Sequence, residues 1–282
     1  MNNIVGKISC YITWDISPDI FEFPIINHPL RWYGLLFAIG FLLSQQIMYF
    51  IYRKDGRPVR EVDTLAIYLV IATIVGARLG HVLFYDPGYY FQNPHRILMT
   101  WEGGLASHGG VIGVLLGIYL FARRTKVSFL WVVDRVSIVA ALTFSLIRLG
   151  NLMNSEMIGI PTAMPWGFVF TSYDDVPRHP AQLYEAIHYL IGFGTLFWLW
   201  NSRRNKMQNG FIFGCALVIL FTFRFIDEFF KIDQVEFESG LILNMGQLLS
   251  LPFIVVGIVL LIKTHQRTEE VVDNISAGKN FS

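Results

Sequence analysis

Charged residues are scarce in this sequence. They make up 15% of its 282 residues, against 54% hydrophobic, where soluble domains carry roughly 25% charged residues. A single water-soluble domain is therefore excluded. The net charge of +1 says little about partners, because in a membrane protein the position of each Lys and Arg matters more than their sum. No nucleic acid is expected among them. Cysteine is nearly missing: Cys10 falls in a polar tail and Cys215 in a hydrophobic run. Neither a disulfide framework nor a metal-ligand spacing is available. No H-E-x-x-H zinc motif, aspartate pair or serine nucleophile points to an intramembrane protease. The last hydrophobic run lacks a mid-span lysine for a Schiff base, which disfavours a photoreceptor. The first 32 residues carry Asp15, Asp19 and Glu22 and no cleavable apolar run, so the first hydrophobic segment is expected to remain as an anchor.

What the sequence does have is long apolar runs. A bilayer core about 30 Å thick needs about 20 apolar residues per helix. Seven runs approach that length: Tyr33–Tyr52, Thr64–Tyr85, Leu105–Ala122, Leu130–Leu149, Ala181–Trp200, Phe211–Phe230 and Leu243–Lys263. They predict an all-α polytopic membrane protein of about seven transmembrane helices. The expected layout is one integral membrane domain over residues 1–282. It has an extracytoplasmic segment 1–32, a seven-span core 33–263 and a cytoplasmic tail 264–282. In the third run, Gly113 and Gly117 stand at GxxxG spacing, which suits close helix contact.

Lys and Arg accumulate on the cytoplasmic side of membrane proteins. One set of loops holds Arg53, Lys54, Arg57 and Arg60, then Arg123, Arg124 and Lys126, then Arg203, Arg204 and Lys206, then Lys263, Arg267 and Lys279. The opposite set holds Lys7, Arg31, Arg96, Arg178 and Lys231. This puts the N-terminus outside and the C-terminus inside. The outer loops Asp86–Gly104 and Gly150–Pro180 are rich in Gly, Pro, aromatic and acidic residues and can form a small extracytoplasmic head.

Four arginines remain inside the runs. Arg135 lies next to Asp134 near the cytoplasmic end of its run, where local pairing or snorkelling accounts for it. Arg78, Arg148 and Arg224 share the outer half of the second, fourth and sixth runs. Each costs about 2.5–3.5 kcal/mol at a helix centre unless partnered. Two readings are open. In the first they neutralise themselves, Arg224 with Asp227 or Glu228 at helical spacing and Arg148 by reaching the interface. In the second they line an anion site, where a planar guanidinium gives paired donors to phosphate. At the outer leaflet that anion is a phospholipid head group.

The motifs then resemble those of the bacterial prolipoprotein diacylglyceryl transferases over nearly the whole chain. The most specific block runs from Arg148 through Asn151, Asn154 and Glu156 to Gly159 at the outer end of the fourth run. The others, in order, are His28-Pro-Leu-Arg-Trp32-Tyr33-Gly34, Gly76-Ala-Arg78-Leu-Gly80, Gly103-Gly-Leu-Ala-Ser-His108-Gly-Gly110, His179-Pro-Ala-Gln182-Leu-Tyr184-Glu185, Arg224-Phe-Ile-Asp-Glu228 and Gly246-Gln247. The resemblance implies transfer of the diacylglyceryl group of phosphatidylglycerol to the lipobox cysteine of a prolipoprotein. A thioether forms and glycerol phosphate leaves. It further implies a multi-pass enzyme of the bacterial inner membrane, an outward-facing site, and no metal or organic cofactor. The chain departs from the family at Ser107, at Val111 and at Leu220, where a tyrosine is frequent four residues before the arginine of the sixth run. An anionic-lipid or small-anion transporter is the alternative; it predicts ligand movement without a covalent product.

Attack of sulfur on a glycerol carbon needs a thiolate, and a free cysteine with pKa about 8.5 is mostly protonated near neutrality. Arg148 and Arg224 suit the head group and its departing phosphate, which gains charge in the transition state. His108, Glu156 and Glu228 are the candidate proton acceptors. For His108, a hydrogen-bonded structural histidine is the competing reading; for the two glutamates it is orientation of an arginine. Asn151 and Asn154 suit glycerol hydroxyls or a helix end. Tyr33 and Gly159 enter the phosphatidylglycerol-binding set through the resemblance, Tyr33 otherwise being an interfacial aromatic, and Arg78 enters it by the depth it shares with Arg148 and Arg224. Arg178, His179, Gln182 and Glu185 are left outside the catalytic set as stabilisers of the head.

Overall fold

A computed structural model of the chain describes residues 11–23, 28–232 and 243–276. Residues 1–10 of the expected outer segment and 277–282 of the expected tail, with Lys7, Cys10 and Lys279, lie outside the described residues. Eight helices are present among the described residues: α1 Trp32–Lys54, α2 Arg60–Phe84, α3 Pro87–Gln92, α4 Ser107–Thr125, α5 Phe129–Met153, α6 Ala181–Arg203, α7 Phe211–Asp227 and α8 Met245–Ser276. Seven of them, all but the six-residue α3, coincide with the seven hydrophobic runs. Four segments are long and apolar enough to cross a membrane: α1, α2, α5 and Met245–Arg267 of α8. The chain is thus a multi-pass helical membrane protein, helices being the form in which a crossing segment pairs most of its backbone polar groups within itself. Leu42, Ile67, Ile112 and Leu249 are more than half exposed, an apolar surface suited to lipid.

The helix ends follow from local chemistry. Arg53 and Lys54 close α1, and Glu61 and Asp63 open α2, each on the side that the helix dipole favours. Asp86 accepts a hydrogen bond from the Tyr89 amide at 3.4 Å as Pro87 begins α3, a capping arrangement. Lys126 terminates α4 in the left-handed conformation and its N–H donates to the Ala122 carbonyl.

The chain divides into two compact units, Met1–Ser44 with Ser137–Ser282, and Gln45–Val136. In the second unit, α2 and α4 lie backbone to backbone. A Cβ on Gly80 would stand 2.8 Å from the Gly109 Cα, and one on Gly76 would stand 2.8 Å from the Gly113 Cα. Gly117 meets Tyr68 and Ala72 one turn further along. The glycine spacing read from the sequence is therefore half of a two-sided seam. Replacing Gly109 by Leu should cost about 4 kcal/mol or more, because the obstacle is backbone and cannot swing aside. Thermal unfolding in detergent will check this, with Leu substituted at exposed Gly88 as the control.

The same unit explains Arg135. It does not rely on its neighbour: its guanidinium pairs with Asp55 at 2.9 Å, reaches Asp134 at 3.7 Å, and lies 4.2 Å from the Trp131 ring centroid.

In the first unit, Gly40 packs on Leu146 and the Ser44 hydroxyl donates to the Val139 carbonyl, joining α1 to α5. α7 packs along α8 through Gly214 and Gly257. The segments outside the helices carry two small sheets. Strands β1 (Ile12–Trp14), β4 (Phe168–Phe170) and β5 (Pro177–Arg178) make one in the order β1-β4-β5, parallel then antiparallel. Strands β2 (Asp19–Phe23) and β3 (His28–Arg31) pair antiparallel as the other. Leu152, Ile158, Phe168 and Phe170 form a buried cluster beneath the first sheet, with Trp14, Leu183 and Ile232 packed on it. The Trp14 indole N–H donates to the Leu152 carbonyl at 3.1 Å. This cluster fixes the loop after α5 to the N-terminal end of α6.

Candidate functional site

The block after Arg148 is where the backbone departs from helix. Ser155 and Met157 both hold positive φ, at 52° and 56°, a region that costs a non-glycine residue about 1–2 kcal/mol. Glu156 stands between them. Its carboxylate accepts from the Asn151 amide at 3.1 Å and from the Asn154 amide at 3.2 Å, and its carbonyl accepts from Gln182 of α6. The two asparagines thus serve Glu156 and shape the turn. Tyr33 is packed against Gly150, where a Cβ would stand 2.9 Å from the Tyr33 ring. Gly159 fits between the carbonyls of His179 and Phe230, bridges Lys231 as an antiparallel pair, and leaves no room for a side chain.

Arg148 and Arg224 are held differently. Arg148 is fixed: its Nε pairs with Glu185 at 2.9 Å, and its Nη1 donates to Asn151 at 3.2 Å and to the Met157 sulfur at 2.8 Å. Arg224 is tethered: among the described residues its ion pair is to Glu228 at 3.7 Å, too long for a hydrogen bond, and its side chain is 30% exposed. Of the two self-neutralising partners open to Arg224, Asp227 is taken instead by His188, at 2.8 Å from Nδ1. That imidazole stacks on Phe223 with centroids 4.5 Å apart.

Two members of this site are joined across 46 residues of sequence. Glu185, set aside above as a stabiliser of the head, is buried and binds Arg148 with one oxygen and Lys231 with the other. Lys231, counted above only as an outer-loop charge, is 5% exposed and also donates to Glu228 at 3.1 Å. Glu228 is further held by Asn244 at 3.3 Å. A cleft of about 300 Å³ opens beside this network, lined by Ser155, Glu156, Met157, Ile158, Tyr173, Lys231 and Ile232. Above it, Arg178 makes a two-pronged pair with Asp174, which holds the Asp174 carboxyl below the usual carboxylate range. Burial pushes the His179 imidazole down, keeping it neutral near pH 7, with its Nδ1 3.0 Å from the Tyr184 hydroxyl. Among the described residues, no three of His, Cys, Asp and Glu gather as metal ligands.

Arg78 and His108 belong to the second unit. Arg78 was expected with the anion-binding set, but all its donors are spent on one loop. Nε donates to Ile97 at 2.8 Å, Nη1 to Gly103 at 2.6 Å and Gly104 at 3.1 Å, and Nη2 to Arg96 and to Met99 at 3.2 Å. Its guanidinium also lies 4.9 Å from the Tyr90 ring centroid. It is a clamp on the segment between α3 and α4. Arg78→Met should lose about 2–3 kcal/mol, since five hydrogen bonds to the carbonyls of this loop go with the guanidinium; faster proteolysis between residues 94 and 104 is the measurement. His108 stands at the start of α4, exposed, with Phe84 edge-on at 5.4 Å and Tyr85 stacked at 5.9 Å. Its ring contacts are aromatic, and no hydrogen bond from its imidazole is present among the described residues.

Comparison with known proteins finds relatives over nearly the whole chain. The family described as prolipoprotein diacylglyceryl transferase matches residues 18–263. A phosphatidylglycerol–prolipoprotein diacylglyceryl transferase of Tolumonas auensis is 51% identical over 251 residues, covering 88% of this chain and 96% of that protein. Proteins with the same description from Porphyromonas gingivalis and Chloroherpeton thalassium are 46% and 43% identical. They cover 91% and 93% of this chain and 95% and 97% of their own lengths.

Proposed function

This chain belongs to the prolipoprotein diacylglyceryl transferase family and is a diacylglyceryl transferase; we propose that the arginines of α5 and α7 are where it works. The substrates named for its relatives, phosphatidylglycerol and prolipoprotein, are taken as its own. The cysteine thiol of the lipobox loses its proton, sulfur bonds to the terminal glycerol carbon, and the bond from that carbon to the phosphate oxygen breaks. Glycerol phosphate leaves with the electron pair. The observation that carries this reading is that Arg148 and Arg224, on different helices, are tied into one buried set of charges. Preorganised cations stabilise a departing phosphate more than the intact diester.

Each group then has a task. Arg148, fixed on three sides, sets the position of the phosphate, and Arg224, loosely tethered, closes on it as charge develops. Glu228 is engaged by Lys231, Asn244 and the Arg224 tether, so its task is to orient cations. Glu156 retains lone pairs beside its two amide partners and faces the cleft, which suits the hydroxyls of the glycerol head group. His108 is left to accept the thiol proton. Asn151, Asn154, Gly159 and Tyr33 shape the turn that presents Glu156.

In the cell we propose a protein of the bacterial cytoplasmic membrane with seven spans. α4, α6 and α7 join the four helices already long and apolar enough, the N-terminus lies outside and the C-terminus inside, and the outer loops form the head. The alternation of basic loops supports this orientation.

The decisive experiment incubates purified protein with phosphatidylglycerol labelled in its acyl chains and a peptide bearing a lipobox cysteine. Label should appear on the peptide in a linkage stable to mild base, and disappear when that cysteine is changed to serine. Labelled lipid that crosses a bilayer without a covalent product would instead support transport.

A further inference from the structure

Taken pair by pair, the charges of the first unit form an alternating line. Arg148 Nε meets Glu185 Oε2 at 2.9 Å, Glu185 Oε1 accepts from Lys231 Nζ at 2.8 Å, Lys231 Nζ donates to Glu228 Oε1 at 3.1 Å, and that oxygen faces Arg224 Nη2 at 3.7 Å. The line joins α5, α6, the turn after α7 and α7 itself. Its middle member is also its best hidden cation: the Lys231 side chain is 2% exposed, against 14% for Arg148 and 30% for Arg224. The backbone at Lys231 is fixed as well, through its bridge to Gly159 and through the adjacent Phe230 carbonyl, which accepts from the Ile160 N–H at 2.9 Å.

We propose that Lys231 is a positioning residue for the transfer reaction, acting through Glu185 and Glu228 to set where the Arg148 and Arg224 guanidiniums stand. The inference rests on the transferase reading and deepens it. Its physical basis is that the ammonium is the shared counter-ion of two buried carboxylates. Remove it and they face each other as like charges, and each is drawn toward the arginine it already touches. The arginines are then pulled onto protein carboxylates instead of being presented to a phosphate. A buried ion pair adds little net stability compared with an apolar replacement, so its use here is to fix geometry.

The test uses full-length protein in detergent or proteoliposomes and the labelled-lipid assay. Lys231→Met should lower kcat about tenfold or more while KM for the lipid stays within about threefold. Lys231→Arg, which keeps the charge and adds donors, should recover kcat to within about threefold of the native protein. Glu185→Gln should reproduce the loss, and the double variant with Lys231→Met should be no worse than either single one, the mark of residues acting as one unit. If Lys231→Met does not accumulate in the membrane, Lys231→Gln keeps two N–H donors without the charge and is read the same way. A lysine that only braced the fold would lower yield and melting temperature with kcat per folded molecule unchanged. That result, or losses that multiply in the double variant, overturns the proposal. Native protein that labels no peptide would instead defeat the transferase reading, which separates the two failures.

Discussion

Arg148→Lys and Arg224→Lys should each lower kcat about 100- to 1,000-fold, on the order of 3–4 kcal/mol of transition-state stabilisation, with the protein still inserted in the membrane. Charge survives in both variants. What is lost is the planar fork, which donates two parallel hydrogen bonds to one phosphate and which a rotating ammonium does not reproduce. The two should differ in detail. At position 148 the native side chain is already engaged by Glu185, Asn151 and Met157, so a lysine there also frees the turn before Glu156 and should raise KM as well. At position 224 the native side chain has one long ion pair, to Glu228, and the loss should fall on kcat alone. The check is steady-state kinetics against lipid concentration. Turnover within twofold of native in both variants would remove the phosphate role from these residues.

That difference between the two arginines shows what the sequence carries and what it does not. Helix existence was legible because a membrane-crossing segment must be apolar over its length, and the helices lie where the runs lie. Their ends were less so. α5 extends past Leu149 to Met153 and α8 past Lys263 to Ser276, since hydrogen bonding continues after hydrophobicity stops. The strands were invisible: β1 is three residues long and finds its partner β4 more than 150 residues away. Arg148, Asn151 and Glu156 were found together because one turn of helix and a tight loop keep them together. Glu185 and Lys231 were not, because the bond between them spans 46 residues and no helical period connects them. The loop that Arg78 clamps was not legible for a related reason. Depth in a span suggested an anion site, while its acceptors are loop carbonyls with no side-chain signature.

His108→Gln should lower turnover by about 100-fold or more at neutral pH, the range for removal of a general base. Glutamine keeps a polar side chain of similar reach but has no nitrogen that accepts a proton. The ring contacts of His108 are with Phe84 and Tyr85, and these tolerate a planar amide, so melting temperature should change little. Three variants then separate the acceptors. Glu228→Gln leaves Lys231 with only Glu185 and loosens Arg224, and should act like a displaced arginine, raising KM and lowering kcat. Glu156→Gln keeps an acceptor for only one of Asn151 and Asn154, which donate to different oxygens, and should weaken recognition of the head group, seen as lost discrimination between phosphatidylglycerol and phosphatidylethanolamine. For His108→Gln alone, the loss should shrink as pH rises toward the pKa of the peptide thiol, about 8.5, because solvent then supplies the thiolate that the imidazole would have made. A loss that is the same at pH 7 and pH 9 would move His108 from proton transfer to binding.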